Sequence, residues 1–229
     1  IGAGVSGDPV LLNDLDHGDV YCRVASRVYG RNITRADREE RQTGKRNFMA
    51  WLNGSEGHQF KDAAPWLSER EAREIANWIG EQYPVFQAFR SQTVEFLKGH
   101  GYVETAFGRR RYLPGIYSPL ESDRKAAARE AIIVPIQGTA ADILKLWIVR
   151  LAAQLPENAR IVLIVHDEVV LETRIEDIDN IPEIFYDTLH GIFLVDLPLE
   201  ISIGYDWANM VRVSEELSAR QALATLSSL

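Results

Sequence analysis

The sequence predicts an α+β protein, mostly helical, with a small antiparallel sheet assembled late in the chain. Helix-period patterning with recognisable start and stop residues fills most of the chain before residue 155. Two apolar β-forming runs lie close together at 161–165 and 169–171. Helices and strands do not alternate in the rhythm of a parallel α/β sheet.

The elements follow in order. Residues 9–29 repeat apolar positions at three and four, with Gly30 as a stop. Thr34 reads as an N-cap with Asp37 in the first turn, opening a helix to about Asn53 that Gly54, Ser55 and Gly57 end. Ser68 caps a helix to about Gln82, and Pro84 starts another that stops at Gly99 or Gly101. Residues 102–107 and 111–113 flank Gly108 as a short hairpin. A long helix over about 122–155 is kinked at Pro135. A hairpin at 160–172, a helix near 175–192, a strand at 197–203 and an amphipathic helical tail at 213–229 complete the chain.

With 229 residues, 46% of them hydrophobic and 25% charged, the composition is that of an ordinary globular protein. No apolar run is as long as a membrane span and no signal peptide opens the sequence, so no membrane role is expected. Cys22 is the single cysteine, which excludes an internal disulfide and suits a reducing compartment, the cytoplasm. It falls in an apolar helical pattern and is expected to be a small buried hydrophobe. The net charge of −8 hides clustering. Arg35, Arg38, Arg41, Lys45 and Arg46 form one basic group, Arg109 to Arg111 a second, and Arg124, Lys125 and Arg129 a third. Acidic residues dominate at 168–187 and near Glu215.

The hairpin at 160–172 is the most informative stretch. Its two apolar runs reverse through His166, Asp167 and Glu168 instead of the Asn-Gly or Asp-Gly that tolerates positive φ. Adjacent carboxylates there present hard oxygen ligands suited to Mg²⁺; a solvated charged turn is the alternative. In the helix at 34–53, Arg41, Lys45, Met49 and Asn53 recur every four residues and share one stripe. Two cations so placed repel, and a triphosphate docked between them would offset that repulsion. An exposed Asp37–Arg41 ion pair is the alternative. After Pro135, the Gln137 amide could read a base edge, while Gly138, Ala140 and Ala141 allow close helix packing. The basic turn 105–111 suits phosphate contacts or plain solvation.

In this order the pieces resemble the fingers and palm of a family A (polymerase I-like) DNA polymerase, over about Ile1 to Met210. Val165-His166-Asp167-Glu168 is similar to the family's palm signature, motif C. Arg41-x-x-x-Lys45 with Gly54 resembles the fingers helix, motif B. The stretch from Gly101 through Arg109, Arg110 and Arg111 to Pro114 resembles its hairpin, and Arg129 to Asp142 its long palm helix. Ser6-Gly-Asp-Pro resembles the segment following motif A. Each motif is weak alone; five in order are specific.

The resemblance implies a helical fingers region over 1–100, a palm with a small antiparallel sheet over 101–212, and a C-terminal tail at 213–229. It implies template-directed DNA synthesis with Mg²⁺, primer–template DNA and dNTPs. Asp167 and Glu168 would hold the metal, and His166 would contact the primer terminus. Arg41, Lys45, Met49, Asn53 and Tyr21 would meet the incoming nucleotide. Arg129, Gln137, Arg109 and Arg110 would contact DNA. A non-catalytic primer–template or replication-partner module on the same fold is the alternative function.

Several positions depart from the better-known members. Met49 stands where an aromatic usually stacks on the base, Asn53 where a Tyr is usual, Tyr21 for a His and Ile133 for an Asn. The run from Asp19 to Lys45 resembles phage-encoded members more closely. The family's first catalytic Asp precedes the segment that resembles 1–12, so the expected partner is an upstream segment carrying motif A, a thumb and an exonuclease.

Overall fold

A computed structural model of the chain describes residues 1–214 and 217–226, in two compact units, Ile1–Thr139 and Ala140–Leu229. Glu215, Glu216 and the last three residues of the expected tail lie outside the described residues.

In the first unit, α1 (Gly2–Ser6) leads to α2 (Pro9–His17), whose start is set by Asp8 followed by Pro at the first helical position. One Asp8 oxygen accepts the Val10 and Leu11 N–H groups at 3.0 and 2.9 Å. The other accepts the Phe86 N–H at 2.9 Å, tying α2 to a helix far along the chain. Asp8 is fully buried, so these bonds stand in for water. Asp8→Ala removes a cap and orphans a buried donor, and should lower stability by about 2–3 kcal/mol in denaturant unfolding.

The single helix expected over 9–29 is two. Gly18 closes α2 and Asp19 caps α3 (Val20–Tyr29), while the apolar period runs on across the break. α4 (Arg38–Leu52) starts after Asp37, not Thr34. The Thr34 N–H and hydroxyl both donate to the Asp37 carboxylate at 2.9 Å, which keeps 34–37 a turn. After the short α5 (Phe60–Ala63), α6 (Glu69–Gln82) opens with a reciprocal Ser68–Glu71 capping box. α7 (Pro84–His100) ends at Gly101, whose φ of 77° a side chain would resist. Phe48, Trp51, Tyr83 and Phe86, with ring centroids 5.3–6.2 Å apart, form the centre of the core these helices share. Burial of each such ring contributes on the order of 1.5–3 kcal/mol.

β1 (Tyr102–Glu104) and β2 (Arg110–Tyr112) form the expected hairpin, followed by a 3₁₀ turn at Pro114–Tyr117 and by α8 (Glu121–Ile133). The expected kink is a π-turn at Val134–Gly138, because Pro135 lacks the N–H an α-turn needs. α9 (Thr139–Gln154) follows. The stretch Glu121–Gln154 is long and apolar enough, by length and composition alone, to span a membrane, which corrects the expectation that no run is. Within the first unit its Ala127 and Ala131 pack on Leu97, Val103, Leu113 and Ile116.

In the second unit, β3 (Arg160–Val165) and β4 (Glu168–Glu172) pair antiparallel, with a bulge between Ile161 and Leu163. The helix expected near 175–192 is a 3₁₀ segment, Ile175–Asn180, then α10 (Ile181–Leu189). Trp147 of α9 reaches α10 through Nε1, which donates to the Thr188 hydroxyl at 2.9 Å. The strand expected at 197–203 is the shorter β5 (Ser202–Gly204), paired with β6 (Met210–Arg212). α11 (Ala219–Leu226) packs Ala219 and Leu223 against Ile178, Ile203 and Val213.

The resemblance implies a small antiparallel sheet, and the hairpin β3–β4 forms a two-stranded ribbon. Among the described residues it pairs with no third strand, and Val162, Leu163 and Ile164 are 47%, 42% and 45% exposed. A two-stranded ribbon leaves its edges unpaired and covers no face by itself.

Candidate functional site

In the first unit the candidate nucleotide residues converge on the α3–α4 pair. The two helices approach closely because Gly44 of α4 has no side chain: a Cβ there would lie 2.1 Å from the Tyr21 carbonyl oxygen. Tyr21 projects from the first turn of α3 and lies edge-on to Phe48 of α4, 6.1 Å between centroids. The Arg41 guanidinium carbon is 5.1 Å from the centre of the Tyr21 ring and the Lys45 ammonium 5.8 Å. An aromatic face near two cations partly offsets their mutual repulsion.

The Asp37–Arg41 pair does not form. Asp37 bonds Arg31 at 3.3 Å, and Asp19 accepts from Arg41 Nε at 2.8 Å instead. Burial pushes the Asp19 carboxyl up, but the Cys22 N–H and Arg41 outweigh it and hold the group below its usual range. The Asp19 bond in turn raises Arg41. Lys45 has no carboxylate within ion-pair distance among the described residues. Cys22, beside them, is buried as expected.

Met49 lies a turn further along, 40% exposed, and Asn53 caps the end of α4, its N–H bonded to the Met49 carbonyl. Gly54 then turns with φ of 86°, and a Cβ there would meet Ile132 at 3.2 Å and Arg129 at 3.7 Å. The stripe on α4 thus ends beside Arg129. The π-turn leaves Gln137 exposed, its amide available at the surface. Arg109 donates to the Gly138 carbonyl at 3.0 Å, fastening the hairpin to the π-turn. Arg110 bonds Glu104 at 2.7 Å and lies 4.6 Å over the Tyr102 ring.

In the second unit His166, Asp167 and Glu168 are all exposed at the hairpin tip, with Val165 paired to Glu168 so that His166 and Asp167 alone form the loop. His166 has φ of 55°, the positive-φ non-glycine residue among the described residues. That conformation costs a residue with a Cβ about 1–2 kcal/mol, and strain of this kind gathers at functional sites. His166→Gly should therefore raise stability by up to about 1 kcal/mol, read as a higher unfolding midpoint in denaturant. A lowered midpoint would mean the His side chain holds the turn.

Asp167 and Glu168 have the hard-oxygen chemistry Mg²⁺ takes. Among the described residues, however, no group of three or more His, Cys, Asp or Glu side chains could hold a metal. Two neighbouring carboxylates do not complete a site. Sequence reasoning missed Asp8 and Asp19 as structural anchors. Their signal was an Asp directly before a helix start, once with Pro after it and once with Gly before it.

With that geometry established, comparison with known proteins decides the family. The description "DNA polymerase family A" matches residues 1–209. The chain belongs to DNA polymerase family A. The family A match ends within the turn before β6, so β6 and α11 lie beyond it. The thermostable DNA polymerase I of Thermus aquaticus is 35% identical over 211 residues, 90% of this chain and 25% of that protein. DNA polymerase I of Deinococcus radiodurans is 32% identical over 204 residues, 88% of this chain and 21% of that protein. The chain therefore spans about a quarter of the length of these relatives. Among solved structures, the POL domain of Pol1 from M. smegmatis, in complex with DNA primer-template and dNTP, matches with a TM-score of 0.79 and 27% identity. That match covers 96% of this chain and 38% of the other.

Proposed function

We propose that this family A chain carries out template-directed DNA synthesis, adding deoxynucleotides to a primer 3′ end, together with an upstream polymerase segment that supplies motif A. The observation that carries this reading is the convergence of Arg41 and Lys45 on Tyr21 at the tightly packed α3–α4 pair. It is a cationic, partly apolar surface suited to a triphosphate. Arg41 and Lys45 bind the phosphates, and Met49 and Asn53, next along the same stripe, meet the base and sugar. Arg129 and Gln137, with Arg109 and Arg110 on the hairpin, lie along the DNA. His166 contacts the primer terminus.

Asp167 and Glu168 are this chain's share of a divalent-cation site whose remaining carboxylate comes from the upstream segment. When bound, Mg²⁺ would acidify the primer hydroxyl and neutralise the triphosphate. In this reading residues 1–100 are mainly fingers and 101–212 mainly palm, working in the cytoplasm of a bacterial or phage-infected cell. An unpaired edge of the β3–β4 ribbon is where the upstream segment would add its strand.

Primer extension tests the reading. With Mg²⁺ and all four dNTPs, the chain joined to a family A segment carrying motif A should extend a primer, and the chain alone should not. Robust synthesis by the chain alone would show that no further carboxylate is needed. No synthesis by either would remove the assignment.

A further inference from the structure

Asp19 is the group closest to the candidate phosphate grip that the motif comparison leaves without a role. Its side chain is only 11% exposed. One carboxylate oxygen accepts the Tyr21 and Cys22 N–H groups at 3.1 and 3.0 Å and so caps α3. The other accepts Arg41 Nε at 2.8 Å and Arg35 Nε at 3.2 Å. The cap fixes Asp19 to the same helical turn that presents Tyr21. The bond to Arg41 then fixes the guanidinium over the Tyr21 ring.

An arginine side chain has several rotatable bonds, and ordering it costs free energy that a ligand must otherwise supply. The guanidinium has two edges. Here the Nε side is turned to Asp19, so the terminal amino groups are the donors left for an anion. From this geometry we infer that Asp19 is a positioning residue: it holds Arg41 pre-oriented for the nucleotide's phosphates, and the α3 cap is the anchor from which it does so. The inference rests on the nucleotide reading of the α3–α4 pair and adds to it a residue that touches no substrate.

Asn at this position separates the two duties. Asn caps a helix about as well as Asp, but it has one oxygen, and its amino group faces the Arg41 donor as a second donor. Binding of dATP to the full 229-residue chain, with inorganic tripolyphosphate as a second probe, gives the measurement. Asp19→Asn keeps the cap but loses the Arg41 and Arg35 bonds, so it should lower the thermal midpoint by a few degrees at most while weakening both probes roughly tenfold. In an Arg41→Ala background the same change should weaken them less than about twofold, since the interaction it removes is already gone.

Parental affinity in Asp19→Asn, or an equal loss with and without Arg41, overturns the inference. Lys45→Ala tells the two readings apart. If it weakens both probes while Asp19→Asn does not, only the positioning role fails. If the parent binds neither probe, the nucleotide reading fails and this inference falls with it.

Discussion

Asp167→Asn, in the chain completed by a segment carrying motif A, is expected to cut primer extension by about a thousandfold or more, equivalent to ~4 kcal/mol of transition-state stabilisation. The substitution keeps the shape of the side chain and removes its charge. Because Asp167 is exposed at a two-residue turn, the change should leave stability within about 0.5 kcal/mol. Single-turnover extension with saturating dNTP, alongside thermal unfolding of the same preparation, separates the two effects. More than a tenth of the parental rate would mean that the functional carboxylate lies elsewhere. Loss of rate together with a lowered midpoint would mean the turn itself had failed.

Gly44→Val should have the largest effect on stability, about 4 kcal/mol. A Cβ at Gly44 would lie 2.1 Å from the Tyr21 carbonyl oxygen and 2.8 Å from both the nitrogen and Cβ of Ala25. Two of these three atoms are backbone, so no rotamer change relieves the overlap. The helices must separate, and the burial of Val24, Ala25 and Phe48 goes with them at roughly 1.5–3 kcal/mol for each large side chain. For a chain of this size the thermal midpoint should fall by about 10 °C. A fall of less than about 2 °C would show that α3 and α4 can part without cost. The same substitution should abolish dNTP binding, since Tyr21 and the Arg41–Lys45 stripe would no longer be held together.

Much of the fold was legible because its punctuation is local. The Ser68–Glu71 capping box, Pro84 at a helix start, Gly30 and Gly101 in left-handed caps, and Pro135 inside a long helix each act within a few residues of their own position. The structure departs from these local signals where two local solutions compete. Thr34 and Asp37 can both open a helix, and the bonds between them decide for Asp37. Gly18 interrupts α2 and α3 although the apolar spacing continues through it. The strand expected at 197–203 begins only at Ser202, because the apolar run before it matches strand composition yet has no partner until Met210–Arg212 turns back.

Arg41 and Lys45 stood out by their spacing, and the tripeptide His166, Asp167, Glu168 by sitting where a turn wants glycine. The sequence could not show that His166 takes up the strained conformation itself. Nor could it show that the apolar faces of its hairpin are exposed, because exposure depends on what else packs there.

The order of short motifs along one chain was enough to determine the family, since each motif is set by neighbouring residues. The meeting of Asp19 and Tyr21 with Arg41 and Lys45 was decided only by tertiary structure. Asp19 and Arg41 are 22 positions apart, and whether they touch depends on how closely two helices cross. That distance is set by the absence of a single Cβ at Gly44.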